Sequence, residues 1–346
     1  MQATQFEREA IHRLPGIIAE LFDEPVPAHA LIPEGADRAI DVLIDAGGRR
    51  WAIEAKASSS PGTVAAAADQ LAALSLPDAV PVLVVPYMTP AGAKAAAERQ
   101  LNWIDLSGNA SLRDDELYVW VQGRANQFGV RGRPSSPFAP KSSRVARALL
   151  LDPERWWVQK ELAAHTDLDA GRVSRVVRRL DDDDLLARDG SRLRPRDPGL
   201  LLDAWTDAYR FDCTDVVDGH LTGSGVELAR ELHERLDDGG LQPTFTGLPA
   251  AWALDRFARF RLVSVYVTGD PRAAGDAVEL RRNERGANVQ LIGPDDRGVF
   301  DGQHNVDELP CVAPVQVYLD LGHLPERARE AAEQMRNEGR LWHAAR

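Results

Sequence analysis

The chain is poor in cysteine, in lysine and in long apolar runs. Only two of its 346 residues are cysteines, and Cys213 and Cys311 stand far apart, in no C-x-x-C pair. This speaks against a disulfide framework and against a thiolate zinc site, and both are read as buried apolar residues. No apolar run approaches the roughly 20 residues that a membrane span needs, which leaves no expected membrane partner. The first ten residues lack the basic-then-apolar order of a signal peptide, so the expectation is a cytoplasmic protein. Collagen, coiled coil and wholesale disorder do not fit a chain that is 44% hydrophobic and without a heptad or Gly-X-Y period. What is there suffices for two or three domains of roughly 100–200 residues.

The net charge of −12 is unevenly spread. Residues 1–130 carry 10 basic against 17 acidic side chains, residues 131–196 carry 15 against 10, and residues 197–346 carry 16 against 26. The middle alone is basic. Other charges are largely screened beyond roughly 8–10 Å, so a local basic face can bind phosphate on an acidic molecule. Only 4 of the 41 basic residues are lysine, so part of the arginine excess reflects composition rather than function.

Periodicity divides the chain further. Gln5 to Phe22 has helical spacing with a kink or restart at Pro15. Ala39–Ile44 and Trp51–Ala57 read as strands joined through Gly47-Gly48. An alanine-rich helix over Thr63–Leu74, a buried strand over Val80–Val85, a helix over Pro90–Gln100, a strand over Trp103–Leu106 and a hairpin over Ser111–Val121 complete a mixed α/β domain, residues 1–128. A Gly, Pro and Ser-rich linker spans 129–141. Ser142–Leu151, Val158–Thr166 and Asp169–Asp183 read as helices, and Leu186–Arg194 as a hairpin turning at Asp189-Gly190. Three helices and a two-stranded wing predict a winged helix-turn-helix over 142–197. From residue 198 to 346, helices (Leu200–Ala208, Gly225–Leu236, Pro325–Asn337) alternate with strands (Leu262–Val267, Val289–Ile292), predicting a second α/β domain.

The most pointed chemistry lies in the first domain. Glu54 and Lys56 are two apart on a strand and share a face, and the hairpin partner can bring Asp41 beside them. Two carboxylates and a lysine can hold Mg²⁺ and steer water onto a phosphodiester. The arrangement resembles the PD-(D/E)xK nuclease superfamily, whose element order this segment follows. The resemblance implies a restriction-endonuclease-like fold, with Asp41 and Glu54 as metal ligands and Lys56 orienting the attacking water. Flanking-helix contributors would fall at Glu9 or Glu20 and at Gln70. The proline of the family name is absent, Ala39-Ile40 standing before Asp41. The plainer alternative is a salt bridge on an alternating strand. In Trp103-Ile-Asp105-Leu-Ser107-Gly108-Asn109, Asp105 and Asn109 read as turn caps rather than ligand contacts.

In the middle segment, Leu162, Leu168, Val173, Val176, Val177 and Leu180 form an inward face. Arg172, Ser174, Arg175, Arg178 and Arg179 are left outward on the second helix of the motif, as a recognition helix requires. Asp169 is placed to cap that helix. Gln159 and Lys160 open the preceding helix, and Arg188, Arg192 and Arg194 lie on the wing, where they could reach double-stranded DNA. The alternative is a solvated arginine face. The run Asp181–Asp184 follows directly and is expected to face away from DNA.

Phe245-Thr-Gly-Leu-Pro-Ala-Ala-Trp252 and Val312-Ala-Pro-Val-Gln-Val-Tyr-Leu-Asp-Leu321, taken with Trp103–Ala110 and the winged helix, resemble the AbiEi-type antitoxins of type IV toxin–antitoxin systems. That likeness implies a transcriptional regulator with a C-terminal domain distantly similar to nucleotidyltransferases, through which residues 198–346 would meet a cognate toxin or another protein. Gly223-Ser224 leads into a helix with no D-x-D on a following strand, so that domain is expected to be catalytically inactive. His220, His304 and His323 are scattered without metal spacing. The leading expectation is a DNA-binding regulator that needs no cofactor. A Mg²⁺-dependent endonuclease addressed by the winged helix is the alternative, and an antitoxin acting mainly by protein contact is the third.

Overall fold

The computed structural model describes residues 3–23, 40–74, 78–128, 136–211, 215–256, 259–282, 286–325 and 327–342. Ala39, Cys213 and residues 129–135 of the linker lie outside them. Among the described residues the protein is mixed α/β, with twelve α-helices and three sheets. No helix among them is long and apolar enough to cross a membrane. Contacts divide the chain into two units. One comprises Met1–Ser135, Arg178–Ala187 and Arg196–Asp207, the other Ser136–Val177, Arg188–Pro195 and Ala208–Arg346.

The first unit holds α1 (Ala3–Phe22), β1 (Val42–Ala46), β2 (Arg49–Ala55), α2 (Pro61–Ala72), β3 (Val80–Val85), α3 (Pro90–Glu98), β4 (Asn102–Asp105), β5 (Ala110–Asp114) and β6 (Leu117–Val121). Its six strands lie side by side in chain order. β1 and β2 are antiparallel, turning at Gly47 and Gly48, both at positive φ, where the absent Cβ removes the strain. β2, β3 and β4 run parallel, so the connecting helices α2 and α3 belong on one face. α1 covers the other face. Phe6, Ala10, Leu14 and Ile18 recur at a four-residue spacing and pack with Val42, Ile44, Trp51, Ile53, Val82, Val84 and Ile104.

α1 is helical without interruption through Pro15, so the helix does not restart there. Leu14 and Ile18, buried on either side of the proline, hold both turns to one core, which outweighs the lost backbone bond.

Two later segments also belong to this unit. The first is the end of α6 (Ala170–Asp182), where the Ser58 hydroxyl donates to the Asp183 carboxylate at 2.8 Å and the Ser60 hydroxyl to the Asp183 carbonyl at 3.0 Å. Gly62, in the first turn of α2, lies so close that a Cβ there would overlap the Asp183 carbonyl oxygen. Gly62→Ala is therefore expected to destabilise the protein by about 1–3 kcal/mol. A shift of the urea midpoint at unchanged slope would register it, and an unchanged midpoint would show that the contact yields freely. The second segment is α7 (Pro198–Ala208), within the third sequence segment. Its Asp203 meets Lys94 at 3.2 Å, and its Asp207 accepts from Ala91 N at the start of α3 at 3.0 Å.

The second unit is built on a seven-stranded sheet in the order β13-β10-β14-β12-β11-β16-β15. The strands are β10 (Asp215–His220), β11 (Thr244–Thr246), β12 (Val263–Tyr266), β13 (Arg281–Arg282), β14 (Val289–Gly293), β15 (His304–Val306) and β16 (Leu309–Cys311). The helices are α8 (Gly225–Asp238), α9 (Gly247–Asp255), α10 (Pro271–Ala277), α11 (Pro314–Leu321) and α12 (Ala328–Asn337). β12 and β14 occupy the two segments read as strands, and both are buried at the sheet centre. Also in this unit are α4 (Ser143–Leu151), β7 (Trp157–Val158) and α5 (Gln159–Thr166), followed by the first two turns of α6. β8 (Leu186–Asp189) and β9 (Arg192–Pro195) complete a three-stranded sheet in the order β7-β9-β8.

Candidate functional site

The β1–β2 register pairs Val42 with Ile53, and one further step sets Asp41 opposite Glu54. Trp51, Ile53 and Ala55 point into the α1 core, so Glu54 falls on the opposite face of β2, and Lys56 follows two residues on. Asp41 is fixed at this edge by its own strand pairing: its N–H donates to the Ile53 carbonyl at 2.8 Å, and its Oδ2 accepts from Ala55 N at 2.8 Å. Lys56 Nζ lies 2.5 Å from Glu54 Oε1. Glu54 Oε2 is buried with no hydrogen-bond partner among the described residues. Burial raises the Glu54 pKa above the usual carboxylate range. Lys56 opposes the shift, and the nearby charges of Asp41 and Glu7 add to it.

This arrangement brings together three of the residues singled out by spacing. Gln70 is half-buried on α2 and has no hydrogen bond to Asp41, Glu54 or Lys56 among the described residues. Glu9 pairs with Arg13 at 3.6 Å and Glu20 with Arg124 at 2.9 Å, so neither α1 candidate is directed at Glu54. The α1 carboxylate whose charge reaches Glu54 is Glu7, which the spacing argument passed over. No group of three or more His, Cys, Asp or Glu side chains placed to hold a metal is present among the described residues. Two carboxylates are nonetheless within what Mg²⁺ uses, since it keeps several waters and takes one or two protein carboxylates. An unsatisfied buried Oε2 beside a second carboxylate fits that ion.

α6 has a buried side, with Val173, Val176, Val177 and Leu180, and an exposed side carrying Arg175, Arg178 and Arg179. Asp169 caps it, accepting from Arg172 N at 2.7 Å. Arg172, half-buried, also lies 3.6 Å from Asp169, and Arg179 lies 3.5 Å from Asp183. Arg178 has no carboxylate partner among the described residues, and Arg175 forms no close ion pair, although its charge helps to lower the Asp169 pKa. They are three apart on one continuous helix, so its own periodicity, and no contact between units, sets them side by side. Ser174 is half-buried. Gln159 is half-buried and Lys160 exposed at the start of α5.

On the wing, Arg192 is exposed, while Arg194 is held by Glu154 at 2.6 Å and over the Trp156 ring at 4.8 Å. Arg188 is exposed and is engaged by another group of the same chain. The carboxylates after α6 are occupied, Asp183 by Ser58 and Arg179, and Asp184 by Arg196 at 3.9 Å.

The remaining polar motifs are structural. Asp105 accepts from Ser107 N, Asn109 N, Met88 N and Asn109 Nδ2 at 2.8–3.0 Å, which saturates its carboxylate inside a turn. In the second unit Asp320, fully buried on α11, accepts from Tyr209 and Thr246 hydroxyls at 2.5 Å, from Gln316 Nε2 at 2.6 Å and from the Tyr266 hydroxyl at 3.0 Å. Gln316 Oε1 in turn accepts from Arg147 on α4 at 2.6 Å. Desolvation pushes Asp320 up to about 6 against the pull of these four donors. Gly223-Ser224 opens α8, where buried Asn288 bonds the Leu221 and Gly223 carbonyls. Cys311 is buried, and burial pushes its thiol up to about 12, so it carries no thiolate at neutral pH.

No protein-family profile, no curated protein and no solved structure matches the chain.

Proposed function

We propose that this protein is a DNA-binding regulator in which α4, α5, α6 and the β8–β9 hairpin form a winged helix-turn-helix, with α6 laid against duplex DNA. The observation that carries the reading is the pair Arg175 and Arg178: exposed on a helix rooted by an apolar stripe, Arg178 without a carboxylate partner among the described residues and Arg175 with only the exposed Asp169 nearby. Exposed guanidinium groups at this spacing suit phosphates and guanine edges. Arg192 and Lys160 add exposed charge from the wing and from α5, whereas Arg194 is spoken for by Glu154. Two carboxylates of the acidic run are engaged elsewhere, Asp183 by Ser58 and Asp184 by Arg196. The test is titration of labelled random duplex fragments without Mg²⁺ over a range of salt concentrations. Micromolar or tighter binding that weakens steeply with salt supports the reading. Absence of binding at low salt overturns it.

A second reading draws on the orphaned Glu54 Oε2. Asp41 and Glu54 would hold Mg²⁺, which supplies charge neutralisation at a scissile phosphate, and Lys56 would orient a water there. Supercoiled plasmid incubated with Mg²⁺ is then nicked by the wild type. Glu54→Ala, folded by circular dichroism, loses the nicking by at least about 100-fold, because one of only two carboxylates is gone. Intact plasmid with the wild type would leave the Glu54–Lys56 pair a structural ion pair on β2.

A further inference from the structure

β6 is the outermost strand of the first unit's sheet, and among the described residues nothing pairs with its free side. Its sequence, Leu117-Tyr-Val-Trp-Val121, carries no charge, proline or bulge, the devices by which edge strands are normally kept from pairing. The opposite edge, β1, does carry one: Asp45, paired with Arg50. On β6, Tyr118 is 62% and Trp120 is 50% exposed, and they are the largest exposed apolar side chains among the described residues. Leu117 and Val119, on the other face, are only partly covered by the α1 core.

The strand is also self-complementary. An antiparallel twofold through Val119 sets Tyr118 of one copy against Trp120 of the other, twice, and continues both apolar faces.

We infer that β6 is the homodimer interface, two copies joining edge to edge into one continuous sheet. The inference is independent of the DNA-binding reading. It would also give each assembly two copies of α6.

The test is sedimentation of the full chain at micromolar concentration, in the absence of DNA. The wild type is expected at twice the mass of one chain, and Tyr118→Lys with Trp120→Lys raises the dimer dissociation constant by at least about 100-fold, since buried aromatic anchors dominate such interfaces. Circular dichroism checks that the double variant is folded. As a variant that leaves the surface apolar, Val119→Cys cross-links to its own copy on oxidation, because the twofold sets that position opposite itself, and Tyr118→Cys does not. A monomeric wild type overturns the inference, as does a dimer indifferent to both lysines. A monomer whose tryptophan fluorescence is quenched by a single-stranded oligonucleotide also overturns it, and would assign Tyr118 and Trp120 to base stacking instead.

Discussion

Arg175→Ala combined with Arg178→Ala is expected to weaken duplex binding by about 100-fold, at about 1.5 kcal/mol or more for each lost charge-assisted hydrogen bond. The loss has a second signature. Each phosphate contact contributes roughly 0.9 to the slope of log affinity against log salt, so losing two flattens the slope by roughly 2. Lysine at both positions separates the two ways in which arginine acts. Lysine keeps the charge and therefore the slope, but it cannot make the bidentate contact to a guanine edge. If the arginines meet only phosphate, the double lysine variant binds nearly as the wild type. If they read bases, it binds with wild-type salt dependence and relaxed sequence preference. Unchanged affinity and slope in the alanine variant would sink the assignment of α6 as the docking helix. Both side chains are exposed, so loss of binding through unfolding is not expected, and the melting temperature checks this.

Asp320→Ala is expected to cost about 3–5 kcal/mol, the range for breaking one side of a buried charged network. It leaves two tyrosine hydroxyls, a threonine hydroxyl and the Gln316 amide without their acceptor, and it removes one of the charges that favour the cationic form of buried Arg147. For a chain of this size that corresponds to a fall in melting temperature of roughly 10 °C.

Asp320 also imposes a pH dependence whose sign follows from its raised pKa. As pH rises, the unfolded chain gives up this proton near the ordinary aspartate value of 3.8, while the folded chain keeps it to about 6. Stability from this group therefore falls between about pH 4 and pH 6, by about 3 kcal/mol in all, and is flat above. Glu54, Asp207 and Asp301 are shifted in the same direction, so the wild-type curve alone does not isolate it. The comparison with Asp320→Asn does, because the asparagine variant lacks the proton. Urea midpoints at pH 4, 5, 6 and 7 for the two proteins should converge or cross as pH rises. A constant difference across that range would show that Asp320 ionises like an exposed carboxylate.

Much of the first unit was legible because its signals are local. Gly47-Gly48 between two short apolar segments specifies the hairpin, the unbroken apolar run of β3 specifies a strand buried on both faces, and the Asp41, Glu54 and Lys56 spacing follows from strand pleat and register. The partner of Glu20 on α1 was not legible, since it meets Arg124 across 104 residues, and no periodicity encodes such a pairing. The same holds for α7, which is tied to α3 by Lys94–Asp203 and by Asp207 at Ala91 N. In the second unit, β11, β13, β15 and β16 are only two or three residues long, too short for an alternating pattern to register. The Asp320 network draws on Tyr209, Thr246, Tyr266 and Gln316 from four separate segments, so Val312–Leu321 could be singled out as a motif without its role being visible.

α6 is fastened at both ends before any ligand arrives, by its Asp169 cap and by the grip of Ser58 and Ser60 on Asp183. Calorimetrically, such a helix has no folding left to do when it meets a duplex. Its binding should show the small heat-capacity change of a rigid dock rather than the large negative one of coupled folding, with the favourable entropy coming from released counterions.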